Sequence, residues 1–256
     1  MLGFKRLVAP LLAFGLFTGC VTSSTRESTA EALDEALANN QRSEEDRTRD
    51  RYRHPAQTLL FFGVRPQMSV LELWPERDGY TDALAPLLAA RGKYYAAIRQ
   101  AEPEQEAGER LTSFRQMLAA RPDLYRHITV VTFPMDGSDV VAPGTLDLVV
   151  SSRNLHSWQG RDTATRVLGT LFRALKPGGA FGVVEKRSPA AEDGARGDAV
   201  SEGYAIALIE SAGFRLVAES QVNARRADST PPLTDPSSEG ERFTLKFIKP
   251  LRAASR

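Results

Sequence analysis

Apolar positions along this chain alternate between two spacings, and the alternation predicts strands and helices in turn. Short runs of apolar and β-branched residues are typical of buried strands. Such runs occupy 68–73, 93–98, 128–133, 146–151, 180–185, 214–222 and 241–248. Segments with apolar residues at every third or fourth position are typical of amphipathic helices. Such segments lie at 55–62, 81–90, 111–118, 161–175 and 204–211.

The order of these segments predicts the fold class. Strands that alternate with helices form a parallel sheet with helices on both faces. The strands at 214–222 and 241–248 have no predicted helix between them, so we expect them to pair antiparallel at one edge. The sequence therefore predicts an α/β fold with a doubly wound, mostly parallel seven-stranded sheet and an antiparallel C-terminal strand pair. The domain covers 54–250, and 251–256 form a short tail.

Length and composition limit the choice of function. A chain of 256 residues has room for one α/β domain together with targeting and linker segments. Hydrophobic residues make up 42% of the chain and charged residues 25%, as in ordinary soluble domains. Lys and Arg number 33 against 32 Asp and Glu. This balance gives no basic surface for nucleic acid, so we expect no nucleic-acid partner.

The first twenty residues have the pattern of a secretory signal peptide. Lys5 and Arg6 precede an apolar run at 7–17, which is too short to span a bilayer. The sequence FTGC that follows resembles a bacterial lipobox, in which the cysteine is acylated and anchors the protein to a membrane. Cys20 is the only cysteine in the chain. Val21 after it points, by the same resemblance, to the outer membrane. The alternative is a signal peptide cleaved elsewhere, with Cys20 incidental.

The assignment of Cys20 also affects the metal question. With this cysteine given to the lipid, no set of side chains at metal-binding spacing is left in the sequence. We therefore expect no metal. The predicted signal peptide and lipobox imply a location in the periplasm or cell envelope.

A polar segment separates the predicted signal peptide from the domain. Residues 21–53 are rich in charged and small polar side chains. Ser28 and Glu31 have the spacing of a capping box, in which each side chain accepts from a free amide at a helix start. We expect a tether followed by a charged helix that lies loosely on the domain.

Three segments of the domain carry a family resemblance. They read VLELWPERDGYT at 70–81, LDLVVSSRNLHSW at 146–158 and LKPGGAFGVVE at 175–185. Together they resemble the class I S-adenosylmethionine-dependent methyltransferases. More narrowly, they resemble bacterial predicted methyltransferases whose first strand ends in a Trp-Pro-glycine loop. The resemblance covers about residues 52–250, and it implies a Rossmann-like methyltransferase fold.

The resemblance implies a site and an activity. Ligands of doubly wound sheets bind beyond the carboxyl ends of the strands, where the strand order reverses. S-adenosylmethionine is the implied cofactor, and a small molecule that the sequence does not identify is the implied methyl acceptor. Alignment of the two would carry most of the rate. The implied cofactor contacts are Glu72, Trp74, Pro75, Gly79 and Arg153. The residues implied to line the acceptor gap are Tyr80, Asn154 and His156, the last as a candidate general base.

The sequence departs from this family at three places. Glu76, Arg77 and Asp78 stand where family members carry consecutive glycines. The second strand ends in Arg99 without the carboxylate that holds the ribose in many such enzymes. After the fifth strand the chain has Lys186 where the subfamily pattern has His. These departures support an alternative, a non-catalytic envelope lipoprotein that keeps the fold as a binding or structural module.

Several site residues admit a second interpretation. Glu72 could bind a cofactor amine or the start of the next helix, or it could pair with a neighbour at the end of its strand. Trp74 could be a ligand platform or a core residue, since its large ring favours burial. Asn154 and His156 could face a substrate, or they could cap the loop after the fourth strand.

Overall fold

The computed structural model describes residues 18–39, 42, 44–75, 79–99, 104–158, 160–188, 195–224 and 241–251. Most of the predicted signal peptide, the substituted loop residues 76–78 and the tail after 251 lie outside these ranges. The backbone of Cys20 belongs to the first helix, but its side chain is not among the described parts of the chain. No described helix is both long enough and apolar enough to cross a membrane.

The described elements follow the predicted alternation. The strands are β1 (Ser69–Leu73), β2 (Lys93–Arg99), β3 (Ile128–Phe133), β4 (Leu146–Ser152), β5 (Leu175–Lys186), β6 (Ala195–Arg196), β7 (Ala199–Val200), β8 (Arg215–Ser220) and β9 (Arg242–Ile248). The helices are α1 (Thr18–Leu37), α2 (Glu44–Arg53), α3 (Pro55–Phe62), α4 (Thr81–Leu88), α5 (Glu104–Ala120), α6 (Pro122–Tyr125), α7 (Arg161–Ala174) and α8 (Glu202–Ser211), with a 3₁₀ turn at Leu155–Ser157.

Seven strands form one sheet in the order β3-β2-β1-β4-β5-β9-β8. The pairs among β1 to β5 are all parallel. Strand β9 is antiparallel to both of its neighbours, β5 and β8. The predicted fold class is therefore confirmed, including the antiparallel pair at one edge. The short strands β6 and β7 form a separate hairpin that the sequence pattern did not predict.

Apolar side chains cover both faces of the sheet. On one face, residues of α7 and α8 such as Leu168, Leu171 and Ile209 pack on the strands. On the other face, α1, α3 and α4 contribute residues such as Leu59 and Leu84. Each fully buried side chain of this kind contributes about 1.5–3 kcal/mol. The two packed faces fix the strand ends, and so they fix the crevice described below.

Helix α1 packs more closely than the loose contact that the sequence predicted. It runs unbroken through the predicted capping box. The hydroxyl of Ser28 donates back to the carbonyl oxygen of Thr25 at 3.0 Å, so the capping-box prediction was wrong. Leu33 is fully buried and belongs to the core on the α3–α4 face. A mid-helix serine satisfies its own hydroxyl in this way when the preceding turn offers a carbonyl oxygen.

A polar network ties the segment before α2 to α4. Arg42 is buried, and its Nε donates to Asp82 at 3.2 Å. Arg42 also pairs with Asp50 of α2. The hydroxyl of Tyr125 donates to Asp82 as well. Burial, and then this carboxylate, raises the pKa of Tyr125. The N-terminal helices are thus joined to the domain by charge pairs as well as by apolar burial.

Candidate functional site

Strands β1 and β4 lie side by side at the centre of the sheet, with Leu73 opposite Ser151. From this pair the sheet grows through β2 and β3 in one direction and through β5 in the other. In open α/β sheets the ligand crevice lies beyond the carboxyl ends of the strands at such a point.

Both central strands leave the sheet through an unusual backbone conformation. Trp74 follows β1 with a φ of 49°, and Arg153 follows β4 with a φ of 57°. Residues other than glycine seldom adopt positive φ. Strained backbone of this kind tends to collect at ligand sites, where the surrounding structure holds it in place. The two predicted cofactor residues therefore mark the two sides of the crevice.

The Trp74 ring is buried among aromatic and cationic neighbours. It makes edge-to-face contacts with Phe133, at 6.2 Å between ring centroids, and with Trp158, at 6.1 Å. The guanidinium carbon of Arg99 lies 5.2 Å from the Trp74 ring centroid. The Nε1 atoms of Trp74 and Trp158 are both buried and have no hydrogen-bond partner among the described residues. Trp74 is thus a core residue that brings an unsatisfied donor to the crevice.

Asn154 connects the two central strands. Its Nδ2 donates to the carbonyl oxygen of Leu73 at 2.8 Å and to Oγ of Ser151 at 3.3 Å. The side chain is buried, and it stands at the start of the 3₁₀ turn Leu155–Ser157. Asn154 therefore braces the floor of the crevice from the β4 side.

Glu72 is held by groups of this chain. Its carboxylate accepts from the backbone N–H of Tyr80, from Oγ1 of Thr81 at 3.1 Å and from the hydroxyl of Tyr94. Burial raises the pKa of Glu72, and these hydrogen bonds offset the rise only in part. The geometry shows Glu72 fixing the start of α4. Its role as a cofactor contact stays a prediction.

Tyr80 lies in the core on the α3–α4 face of the sheet. Burial raises the pKa of its hydroxyl to about 12, against the opposing effects of nearby Arg242 and of a hydrogen bond with Thr58. Leu155 and Trp158, which flank His156, belong to the core on the opposite face. Tyr80 and the neighbours of His156 thus belong to different core clusters, and the place of Tyr80 in the acceptor gap stays a prediction.

Arg153 and the β6–β7 hairpin meet over the end of the sheet. Arg153 donates to Asp198 of the hairpin turn at 3.2 Å, and Lys186 donates to the same carboxylate at 3.1 Å. Partial burial acts to raise the pKa of Asp198, but the two cations outweigh it, and the pKa is lowered. Pro75 is buried and Gly79 is half-buried, and they flank the loop residues that lie outside the described part.

His156 has a carboxylate partner that sequence reasoning missed. Its Nδ1 lies 3.5 Å from Oε2 of Glu185, the single acidic residue of β5. This distance is within ion-pair range, but the two atoms do not make a well-formed hydrogen bond. Glu185 is fully buried. The available signal was a single acid at the end of the otherwise apolar run 180–185.

Four buried polar atoms around this crevice, on Trp74, Trp158, His156 and Glu185, lack a hydrogen-bond partner among the described residues. Such atoms are rare in proteins, and each one calls for an explanation. They fit S-adenosylmethionine in kind, because two indole N–H groups can donate to its polar atoms and a buried carboxylate suits its positive charge. The ribose contact implied by the resemblance is not supplied by the described end of β2, where Arg99 stands.

Comparison with known proteins places the architecture. No protein-family model and no curated protein matches the chain. An S-adenosylmethionine-dependent methyltransferase from Aquifex aeolicus is similar in structure, with a TM-score of 0.59, 16% identity, and coverage of 86% of this chain and 98% of that one. The glycopeptide N-methyltransferase MtfA, complexed with sinefungin, is similar with a TM-score of 0.56 and 15% identity. The match covers 78% of this chain and 94% of that one. A putative methyltransferase from Bacillus halodurans is similar with a TM-score of 0.52 and 14% identity. The match covers 77% of this chain and 98% of that one.

The chain has the class I methyltransferase fold. The resemblance drawn from the sequence is confirmed at this level, while the Trp-Pro-glycine loop lies partly outside the described residues. Within this fold, Trp74 and Arg153 lie on opposite sides of the central crevice. Asn154 and His156 come next along the chain, at the 3₁₀ turn after β4. The candidate site thus combines a known architecture with an unusual set of side chains.

Proposed function

We propose that this protein is an S-adenosylmethionine-dependent methyltransferase acting on a small-molecule acceptor, with both ligands in the crevice between β1 and β4. One observation carries the proposal: four buried polar atoms without hydrogen-bond partners, on Trp74, Trp158, His156 and Glu185, lie at or beside the point where the strand order reverses. Such atoms seldom occur together without a ligand, because an unsatisfied buried polar group costs about 1–3 kcal/mol.

The residues of the chain would contribute by position. When bound, S-adenosylmethionine supplies a methyl group attached to a positively charged sulfur. The indole N–H groups of Trp74 and Trp158 would donate to polar atoms of the ligand, and the Glu185 carboxylate would favour positive charge nearby. Asn154 holds the ends of β1 and β4 at a fixed separation. Rigid placement of this kind can contribute several kcal/mol to a transfer between two bound molecules.

Binding of the cofactor tests the proposal directly. S-adenosylmethionine and S-adenosylhomocysteine would be titrated separately into the purified chain by calorimetry. We expect saturable one-to-one binding of both, weakened by Trp158→Phe, which removes one indole donor and keeps an aromatic ring. A matched control is Phe61→Leu, which lies on α3 away from the crevice. Absence of heat at millimolar ligand would overturn the proposal.

A second candidate function is a non-catalytic binding or structural module. It is favoured by Arg99, which stands at the end of β2 and lies over the Trp74 ring. Many enzymes of this fold have at that position a carboxylate side chain that binds the ribose of the cofactor. The charged residues at 76–78 favour it as well. Restoring the glycines with Glu76→Gly, Arg77→Gly and Asp78→Gly separates the two candidates. A gain in cofactor affinity identifies the loop as the damaged part, and an unchanged lack of binding supports the second candidate.

We also propose that the chain is exported and anchored in the cell envelope through a lipid on Cys20. The support is the basic start, the short apolar run and the lipobox-like FTGC. Metabolic labelling with radioactive palmitate in a bacterial host tests this. We expect label on the wild-type chain and none on Cys20→Ala, with both variants expressed equally. Label on both, or on neither, contradicts the proposal.

A further inference from the structure

The contact between Glu185 and His156 has the form of a positioned acid–base pair. Glu185 has no exposed surface. Its Oε1 accepts from the backbone N–H of Leu155 at 2.7 Å, which fixes the carboxylate against the 3₁₀ turn. Its Oε2 faces Nδ1 of His156 at 3.5 Å. A histidine whose Nδ1 faces a carboxylate is held with the proton on Nδ1, so that Nε2 keeps its lone pair.

The other cations near the end of β5 are already engaged. Lys186 donates to both oxygens of Asp198, at 3.1 and 3.2 Å. Arg187 pairs with Glu202 and, through Nε at 3.1 Å, with Glu241. In the described part of the chain, the buried Glu185 carboxylate pairs with His156.

The remaining nitrogen of His156 lies on the open side of the pair. The side chain of His156 is 23% exposed, although its Nδ1 is buried. No hydrogen bond to its Nε2 is found among the described residues. The ring thus has one nitrogen oriented inward by a carboxylate and one nitrogen available to a bound molecule at the crevice.

We propose that Glu185 is a positioning residue that sets the His156 tautomer, and that Nε2 of His156 removes the proton from a hydroxyl acceptor, an alcohol or a phenol. This inference rests on the function proposed above. The acceptor oxygen forms the new bond to the methyl carbon as the bond from that carbon to sulfur breaks. The electron pair of the broken bond stays on sulfur, which becomes neutral. The hydroxyl proton passes to Nε2, and Glu185 stabilises the resulting imidazolium.

The class of acceptor follows from what such a base can do. A carboxylate acceptor carries no proton at neutral pH, because its ordinary pKa is near 4. A neutral amine attacks with its own lone pair and needs no base for the attack. An alcohol or a phenol is a weak nucleophile until its proton is removed, so a neutral imidazole held by a carboxylate accelerates its reaction.

Nuclear magnetic resonance tests the tautomer without cofactor or activity. The chain has three histidines, so ¹⁵N spectra of its imidazole rings are simple, and His54→Asn and His127→Asn complete the assignment. We expect His156 to carry its proton on Nδ1 at alkaline pH. Because the negative charge of Glu185 favours the proton on the ring nitrogen that faces it, Glu185→Gln should change the tautomer ratio about tenfold. The matched control Glu219→Gln, an exposed acid on β8, should leave it unchanged.

Two results would overturn the positioning role. One is a wild-type His156 with its proton on Nε2, which needs no variant and so decides the matter even if Glu185→Gln fails to fold. The other is the same tautomer ratio in wild type and in a folded Glu185→Gln. A chain that shows the expected tautomer but binds no S-adenosylmethionine refutes the proposed function and leaves the pair intact, so the two failures are distinguishable.

The acceptor class has its own test. Transfer of labelled methyl from S-adenosylmethionine would be measured with phenol and benzyl alcohol, and with benzylamine as a matched amine. We expect transfer to a hydroxyl probe and at least a hundredfold loss in His156→Asn, in line with the usual contribution of a general base. Transfer to benzylamine alone, or a chain that binds the cofactor but methylates neither hydroxyl probe, contradicts the assignment.

Discussion

The side-chain amide of Asn154 donates to the carbonyl oxygen of Leu73 across 2.8 Å, and this bond joins the carboxyl ends of β4 and β1. The two residues are far apart in the sequence but meet at the floor of the crevice. A loop that leaves β4 is thereby held to the strand that forms the opposite side of the site. The backbone on both sides departs from the sheet immediately afterwards, so this bond fixes the separation of the two strand ends.

Removing that amide should loosen the crevice and the fold together. Asn154→Ala leaves the buried Leu73 carbonyl oxygen without its side-chain donor, so we expect the free energy of unfolding to fall by about 1–3 kcal/mol. Urea denaturation measures this. The control Gln57→Ala removes an exposed amide from α3 and should change the free energy by less than about 0.5 kcal/mol. Equal effects of both variants would show that Asn154 contributes no more than a surface residue.

The buried Glu72 should give the stability of the protein a distinctive pH dependence. Burial raises its pKa above the ordinary value of 4.5, so the folded protein holds this proton to a higher pH than the unfolded chain does. Stability from this group is therefore present below the unfolded pKa and is lost as pH rises through the folded pKa. Within that window the slope is at most about 1.4 kcal/mol per pH unit.

Glu72→Gln isolates this effect, because glutamine does not titrate. We expect the unfolding free energy of wild type, minus that of Glu72→Gln, to decrease as pH rises above 4.5. Urea denaturation over a pH series gives the difference at each point. Glu219→Gln, which changes an exposed acid, should show no such trend against wild type. A difference that grows with pH would mean that the hydrogen bonds to Tyr94 and Tyr80 outweigh burial.

Asp82 should govern how firmly the N-terminal helices are docked. Asp82→Asn weakens the contacts with Arg42 and Tyr125, so α1 and α2 should open more often. We expect amide hydrogen exchange in these two helices to accelerate about tenfold, while β1 and β4 keep their protection. Exchange mapped by mass spectrometry shows this. The control Glu35→Gln changes an exposed acid of α1 itself and should leave exchange unchanged. Uniform acceleration through the whole domain would contradict a local role.

Two glycines offer opposite outcomes for the same substitution. A Cβ at Gly182 of β5 would lie 2.5 Å from the ring of Phe62 on α3. Gly182→Ala should therefore lower the free energy of unfolding by about 1–3 kcal/mol through overpacking. A Cβ at Gly203, exposed on α8, would meet nothing within 4 Å. Gly203→Ala should raise stability by up to about 1 kcal/mol, because alanine favours helix. Thermal unfolding of both variants decides, and equal destabilisation would contradict the packing argument.

Local sequence predicted most of the sheet. The strand at 128–133 is observed with its predicted bounds, since Ile-Thr-Val-Val-Thr-Phe is β-branched or aromatic throughout. The start of β5 was not predicted. The predicted strand covers 180–185, but the observed strand begins directly at Leu175, at the end of α7. Leu175 pairs with Leu146 of β4, and after an irregularity the regular pairing with β4 and β9 begins at Ala180, where the sequence predicted the strand.

The candidate site was less predictable, because its contacts join distant segments. The sequence indicated Trp74, Asn154 and His156 as crevice residues, and the fold brings the segments that carry them to one edge of the sheet. It did not indicate that Glu185 would face His156, since that contact depends on how the 3₁₀ turn packs on β5. Nor did it show that three groups of the chain would donate hydrogen bonds to the Glu72 carboxylate. Hydrogen-bond partners across the sheet leave no periodic trace in the chain.

The position of β9 has a consequence for biosynthesis. This strand comes last among the described strands, but it lies inside the sheet between β5 and β8, with Phe243, Leu245 and Phe247 buried. Without β9, the sheet of an incomplete chain cannot be completed. Strand β5 is then paired with β4 alone, and β8 has no partner strand. Such a chain exposes unpaired strand edges and is open to chaperones and proteases. We therefore expect the core to close only after the whole of β9 has become available for pairing.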